Sequence, residues 1–140
     1  MPAKKPAAAS KKEIIPLPGK HYARVTYSPA VKVGNLLFIS GQGGIDPETD
    51  ELVGRHDLVA QVRKAYQNIR AIVEKAGGTM DNIVKTVDYI APEALPFYRE
   101  TAAVRREFFK NGFPASTGVV VHRLLLRDML IEIDAIAVLD

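Results

Sequence analysis

One carboxylate in this chain stands where carboxylates are costly. Glu132 sits inside Leu-Ile-Glu-Ile-Asp-Ala-Ile-Ala-Val, residues 130–138. A charge in such a strand loses its water unless it is paired or faces a pocket. Partly desolvated, it has a raised pKa and can act as general acid/base near neutrality. Hydroxyls that could share such a site are Tyr27, Ser40, Ser116 and Thr117. The Gly41 amide is a candidate donor, and His122 and Arg123 follow the valine run 119–121. With Ser40 or Ser116 as polar partner, Glu132 could activate water against a C=N or amide-like carbon. Plainer readings stand beside these. Glu132 could pair with an arginine across an interface, His122 could be a satisfied half-buried histidine, and Tyr27 could be ordinary hairpin packing.

Other chemistries find no support. The chain has no cysteine, which removes disulfides, thiolate nucleophiles and cysteine-ligated metals together. His21, His56 and His122 stand far apart, with no carboxylate at ligand spacing, so no metal site is expected. A Walker loop and a serine elbow are both missing. Gly41, Gly43 and Gly44 do not match a dinucleotide fingerprint, because no long helix begins directly after them. Glycines at a strand end do suit a close approach of backbone to a ligand or another chain.

The elements that must position these groups are legible in outline. Residues 26–33 and 36–40 read as strands joined by Gly34-Asn35, a tight hairpin turn. Residues 57–76 carry Leu58, Val62, Ala65, Ile69, Ile72, Val73 and Ala76 at helical spacing, and Gly77 ends the helix. Residues 83–90 read as a strand stopped by Pro92. Residues 95–109 read as a second helix, with Phe97, Thr101, Val104 and Phe108 as its core stripe and Arg99, Arg105 and Arg106 on a solvated face. Residues 116–121 read as a buried strand. In residues 130–138, Ile131, Ile133, Ala135 and Ala137 share one face, and Glu132, Asp134, Ile136 and Val138 the other. One sheet with two helices on one face follows, an α+β domain whose other face needs a partner.

The chain has 140 residues, enough for one core, and a net charge of +3. Lys4, Lys5, Lys11 and Lys12 lie in residues 1–12 without an acid, so that segment reads as a disordered basic tail and residues 13–140 as the domain. The remaining body is close to neutral. That balance speaks against nucleic acid as a partner, and no apolar run approaches a membrane span. The tail resembles neither a secretory nor a transit signal, so the expectation is a cytoplasmic protein.

Tyr-Ser-Pro-Ala-Val-Lys-Val-Gly-Asn from Tyr27, then Ile39-Ser40-Gly41-Gln42, residues 68–85, Phe113-Pro114-Ala115 and Ile131-Glu132-Ile133-Asp134 resemble the Rid family. This family of reactive-intermediate deaminases is also called the YjgF/YER057c/UK114 family. The resemblance implies a chorismate-mutase-like fold, a homotrimer around a central barrel, and small-molecule clefts between subunits. It also implies cofactor-independent hydrolysis of short-lived enamines and imines such as 2-aminoacrylate, with a last-strand glutamate positioning water. Tyr27, Ser40, Gly41 and Glu132 match the family's cleft residues, Ser40 and Glu132 as the catalytic pair. Ser116 stands in place of the arginine that follows Pro-Ala, Gly118 in a position often held by cysteine, and Ala102 in place of a helix asparagine. Serine cannot replace a bidentate charged clamp. Ser116, Thr117, Gly118, Ala102 and Tyr27 are thus candidate substrate contacts, with Arg123, Arg105 or Arg106 as candidate replacements for the clamp. The alternative is a non-catalytic, metabolite-binding or regulatory trimer of the same fold.

Overall fold

The computed structural model describes residues 2–3 and 11–140. In chain order the elements are β1 (Lys12–Ile15), α1 (Lys20–Arg24), β2 (Ala30–Val33), β3 (Leu36–Gln42), and the short hairpin β4 (Ile45–Asp46) and β5 (Glu51–Leu52). Then come α2 (Leu58–Lys75), β6 (Ile83–Ile90), a 3-10 stretch over Pro92–Glu100, α3 (Thr101–Phe108), β7 (Ala115–Val120) and β8 (Ile131–Val138). The tail expected over residues 1–12 lies almost wholly outside the described residues; Lys12 opens β1.

Gly34 adopts φ 61°, the positive value a two-residue hairpin requires, and pairs β2 with β3 in the register Val33↔Leu36. β8 is the centre of a mixed six-stranded sheet ordered β1-β2-β3-β8-β6-β7. Its alternation decides the two faces. Ile131, Ile133, Ala135 and Ala137 are buried beneath the helices with Leu37 and Ile39 of β3 and Ile90 of β6. Leu58, Val62, Ala65, Ile69, Ile72 and Val73 of α2 close that core. α2 starts where the Asp57 side chain accepts a hydrogen bond from the Ala60 amide at 3.0 Å. It ends before Gly77, whose φ of 93° turns the chain away.

Five expectations need correction. The expected second helix is a 3-10 stretch followed by the shorter α3, because Pro96 cannot donate a hydrogen bond inside a helix. Phe97 is 54% exposed rather than core, since the tighter winding rotates it off the stripe that buries Thr101, Val104 and Phe108. β7 is exposed along its whole length, because it is the edge strand, paired to β6 alone, with no neighbour beyond it. Arg105 is not on a solvated face: it turns inward to Asp88, 2.9 Å away. The strand expected over residues 26–33 is also shorter, beginning at Ala30. Among the described residues no helix is long and apolar enough to cross a membrane.

Candidate functional site

The site is built where β3 slips its register against β8. Ile39 pairs with Ala135 but Gln42 pairs with Ile133, so Ser40 and Gly41 form a bulge. Glu132, opposite Tyr89 of β6, projects from the open face of β8 and lays its side chain across that bulge. A Cβ at Gly41 would collide with Glu132 Oε1 and stand 3.0 Å from Cδ, so only glycine leaves the carboxylate this resting place. The Glu132 carboxyl is pushed above its usual range, first by burial and then by the like charge of Asp134. Asp134 is itself raised by burial.

Glu132 shares a small pocket with Tyr27 and Gly41. The polar walls are His21, Gln42 and Asn68; the apolar walls are Ile45, Pro47, Leu125, Leu126 and Met129. Among the described residues, no lysine or arginine lines it. Asn68, from α2, donates to the Ile45 carbonyl at 2.7 Å and holds the floor loop in place. Gln61 donates to the Asp128 carbonyl and accepts from the Leu130 amide at 2.8 Å. That clamp fixes the end of the loop whose tip, Leu125, is 96% exposed.

Tyr27 is held from the other side. Its hydroxyl lies 3.0 Å from His21 Nε2, and His21 Nδ1 lies 2.6 Å from Asp50 Oδ1. Arg24 also donates to Asp50, and these two partners pull the Asp50 carboxyl down to about 2. α1 is seated for this purpose by Gly19, whose φ of 121° lets it pass against the Pro47 carbonyl, and by the His21 amide donating to that carbonyl at 3.0 Å. Burial and the charge of Glu132 raise the Tyr27 phenol.

Within one chain, Tyr27, Gly41 and Glu132 therefore come together. The Ser40 hydroxyl donates to the Ser28 carbonyl at 2.6 Å and does not line the pocket. Arg123 borders Glu132 from the adjoining cleft, beside Tyr89 and Leu124. Ser116, Thr117 and Gly118 lie on β7, where the Thr117 hydroxyl accepts from Lys85 at 2.8 Å. Ala102 lines a separate open groove with Tyr98 and Arg105. Sequence spacing misses His21 and Asp50 as a pair because 29 positions separate them. Asn68, Gln42 and the Leu125–Leu126 wall carry no local signal either.

Comparison with known proteins identifies the family and the fold. The family model described as Endoribonuclease L-PSP matches residues 19–139. A RutC family protein of Pyrococcus abyssi is 41% identical over 79% of this chain and 84% of its own. A protein of Dermatophagoides farinae named 2-iminobutanoate/2-iminopropanoate deaminase is 33% identical over 94% of this chain and 99% of its own. The crystal structure of the YjgF gene product from E. coli superposes with a TM-score of 0.79 at 36% identity, covering 90% of this chain and 98% of the other. E. coli TdcF, solved with bound serine, does so with a TM-score of 0.77 at 30% identity, covering 91% and 99%. By its fold, its matched length and its relatives, the chain belongs to the Rid family, the group described by the endoribonuclease L-PSP model.

Proposed function

We propose that this protein is a cofactor-independent deaminase that hydrolyses a small imine or enamine, with Glu132 positioning and deprotonating the attacking water. The observation that carries the reading is the Glu132 carboxylate itself. It is half-buried, raised above its ordinary range and laid over Gly41 beside the Tyr27 phenol. Such a group is a base near neutrality without a metal or an organic cofactor. The relative from Dermatophagoides farinae is named for this reaction class.

Among the described residues no lysine or arginine lines the pocket, and Arg105 is occupied by Asp88, so a neutral or weakly anionic substrate with an apolar side chain suits it best. Ser116 and Gly118 of β7, at the far edge of the sheet, and Ala102 of α3 are proposed to complete the cleft from a neighbouring subunit of a homotrimer. The exposed apolar side chains of the open face, Phe38 among them, supply surface for that assembly.

The test is turnover of 2-iminopropanoate, generated in place from serine by a dehydratase. Wild type should hydrolyse it, and Glu132→Gln should lose roughly 10²–10⁴-fold in kcat. Equal turnover in Glu132→Gln would sink the proposal. If only Ser116→Arg is active, the scaffold is competent and its own substrate is less anionic. A second reading, ligand binding without chemistry, is favoured by Ser116 alone and would show as saturable binding with no product.

A further inference from the structure

A second line of polar contacts reaches the pocket that Glu132 lines, and its inner members, His21 and Asp50, belong to no motif. Asp50, His21 and Tyr27 form a chain of contacts, 2.6 Å and then 3.0 Å, whose last hydroxyl opens into the pocket. The three come from different elements: the β4–β5 turn, α1, and the segment before β2. The His21 side chain is only 12% exposed, and Asp50 is a non-glycine residue held at φ 60°. So much local constraint at one contact point speaks for a role beyond packing.

We propose that Asp50 and His21 are positioning residues that set the direction of the Tyr27 proton, and that Tyr27 is the catalytic residue delivering a proton to the leaving nitrogen. This inference rests on the C=N hydrolysis read above. Asp50 stays a carboxylate at working pH, so it accepts and His21 Nδ1 carries hydrogen. With His21 neutral, Nε2 accepts the Tyr27 hydrogen, and the phenol offers the pocket only lone pairs. With His21 protonated, Nε2–H donates to the phenol oxygen, and the phenol hydrogen turns into the pocket. One proton on His21 thus changes Tyr27 from acceptor to donor. The charged and titratable groups around His21 are Asp50, Arg24 and Tyr22, then Tyr27, and Glu132 across the pocket.

The chemistry balances. As water bonds to the imine carbon, its proton goes to Glu132 and the C=N π pair becomes a nitrogen lone pair. That nitrogen takes the Tyr27 proton while Tyr27 takes the one on His21 Nε2. Protonated Glu132 then gives its proton to nitrogen, the C–N bond breaks and ammonia leaves with the bonding pair. The carbinol oxygen loses its hydrogen as the carbonyl forms, and that proton recharges His21 through Tyr27 or solvent.

Two measurements on the full chain test this. The first needs no substrate: ¹⁵N shifts of histidine-labelled protein, with His21 assigned by Histidine-to-glutamine replacement (His21→Gln). Wild type should show the Nδ1–H tautomer when neutral, and Asp50→Asn should lose it. A neutral Nε2–H tautomer in wild type overturns the chain as drawn. The second is the pH–rate profile for 2-iminopropanoate. Wild type should show an alkaline limb, and His21→Gln should lose that limb and about tenfold or more in kcat, with KM within about twofold. Tyr27→Phe should lose the limb too, keeping the readout if His21→Gln folds poorly. An unaltered profile in His21→Gln overturns the proposal while leaving the hydrolase reading intact. No turnover by wild type overturns the hydrolase reading and with it the delivery step, while the ¹⁵N arm still decides the proton's direction.

Discussion

Glu132 carries two opposed consequences. Burial and Asp134 hold its carboxyl above the ordinary 4.5, so the folded state favours the protonated form more than the unfolded chain does. Stability from that preference is fully present below pH 4.5 and is lost as pH rises through the raised folded pKa. Glu132→Gln should therefore raise Tm at pH 7, and the gap to wild type should close below pH 4.5; a gap that persists in acid would mean packing and not charge. Gly41 is the complementary case. The atom a Cβ would meet first is the flexible end of Glu132, so Gly41→Ala should cost less than about 1 kcal/mol of stability yet lower turnover by roughly tenfold or more. Parallel losses of Tm and turnover would show that backbone yields instead.

β8 and the helix layer decide which arginine can serve the cleft. Asp88 of β6 is 1% exposed, and one oxygen takes hydrogen bonds from Tyr98 at 2.5 Å and Arg105 at 2.9 Å. Its other oxygen, Oδ1, is buried without a partner among the described residues. Burial first, and then the Asp88 carboxylate, push the Tyr98 phenol up to about 12. Arg105 is thus committed to neutralising a buried carboxylate. Arg105→Met should cost about 3–5 kcal/mol in urea denaturation, because it leaves that charge unpaired. A small loss would mean Arg105 is free to act as an anion clamp. Arg123 stays available, since it faces the adjoining cleft beside Glu132.

The open face of the sheet sets the proposed assembly. Phe38 is 45% exposed and stands opposite Ile136 in the β3–β8 register, with Lys85 of β6 beyond. An apolar sheet face of this kind is costly in water. Light scattering should report a trimer for wild type, and Phe38→Glu should dissociate or aggregate it and abolish turnover, because the cleft would lack its second half. A monomeric wild type with full activity would refute both the trimer and the shared cleft.

Local pattern was enough for much of this molecule. The period-2 alternation of residues 130–138 separates Glu132 from the core side, because successive strand side chains must point to opposite faces. The 3.6-residue stripe and Gly77 define α2, and Gly34 defines the hairpin, because each depends on backbone preferences within a few residues. The motifs around Tyr27, Gly41 and Glu132 likewise carry the family in the chain itself. Tertiary structure alone decided the rest. The exposure of β7 depends on its place at the sheet edge, and the bulge beneath Glu132 on how β3 registers against β8. The inward turn of Arg105 depends on Asp88, 17 positions away, and the His21–Asp50 contact on residues 29 positions apart. Such contacts form between groups whose spacing carries no period, so only the closed fold brings them within hydrogen-bonding distance.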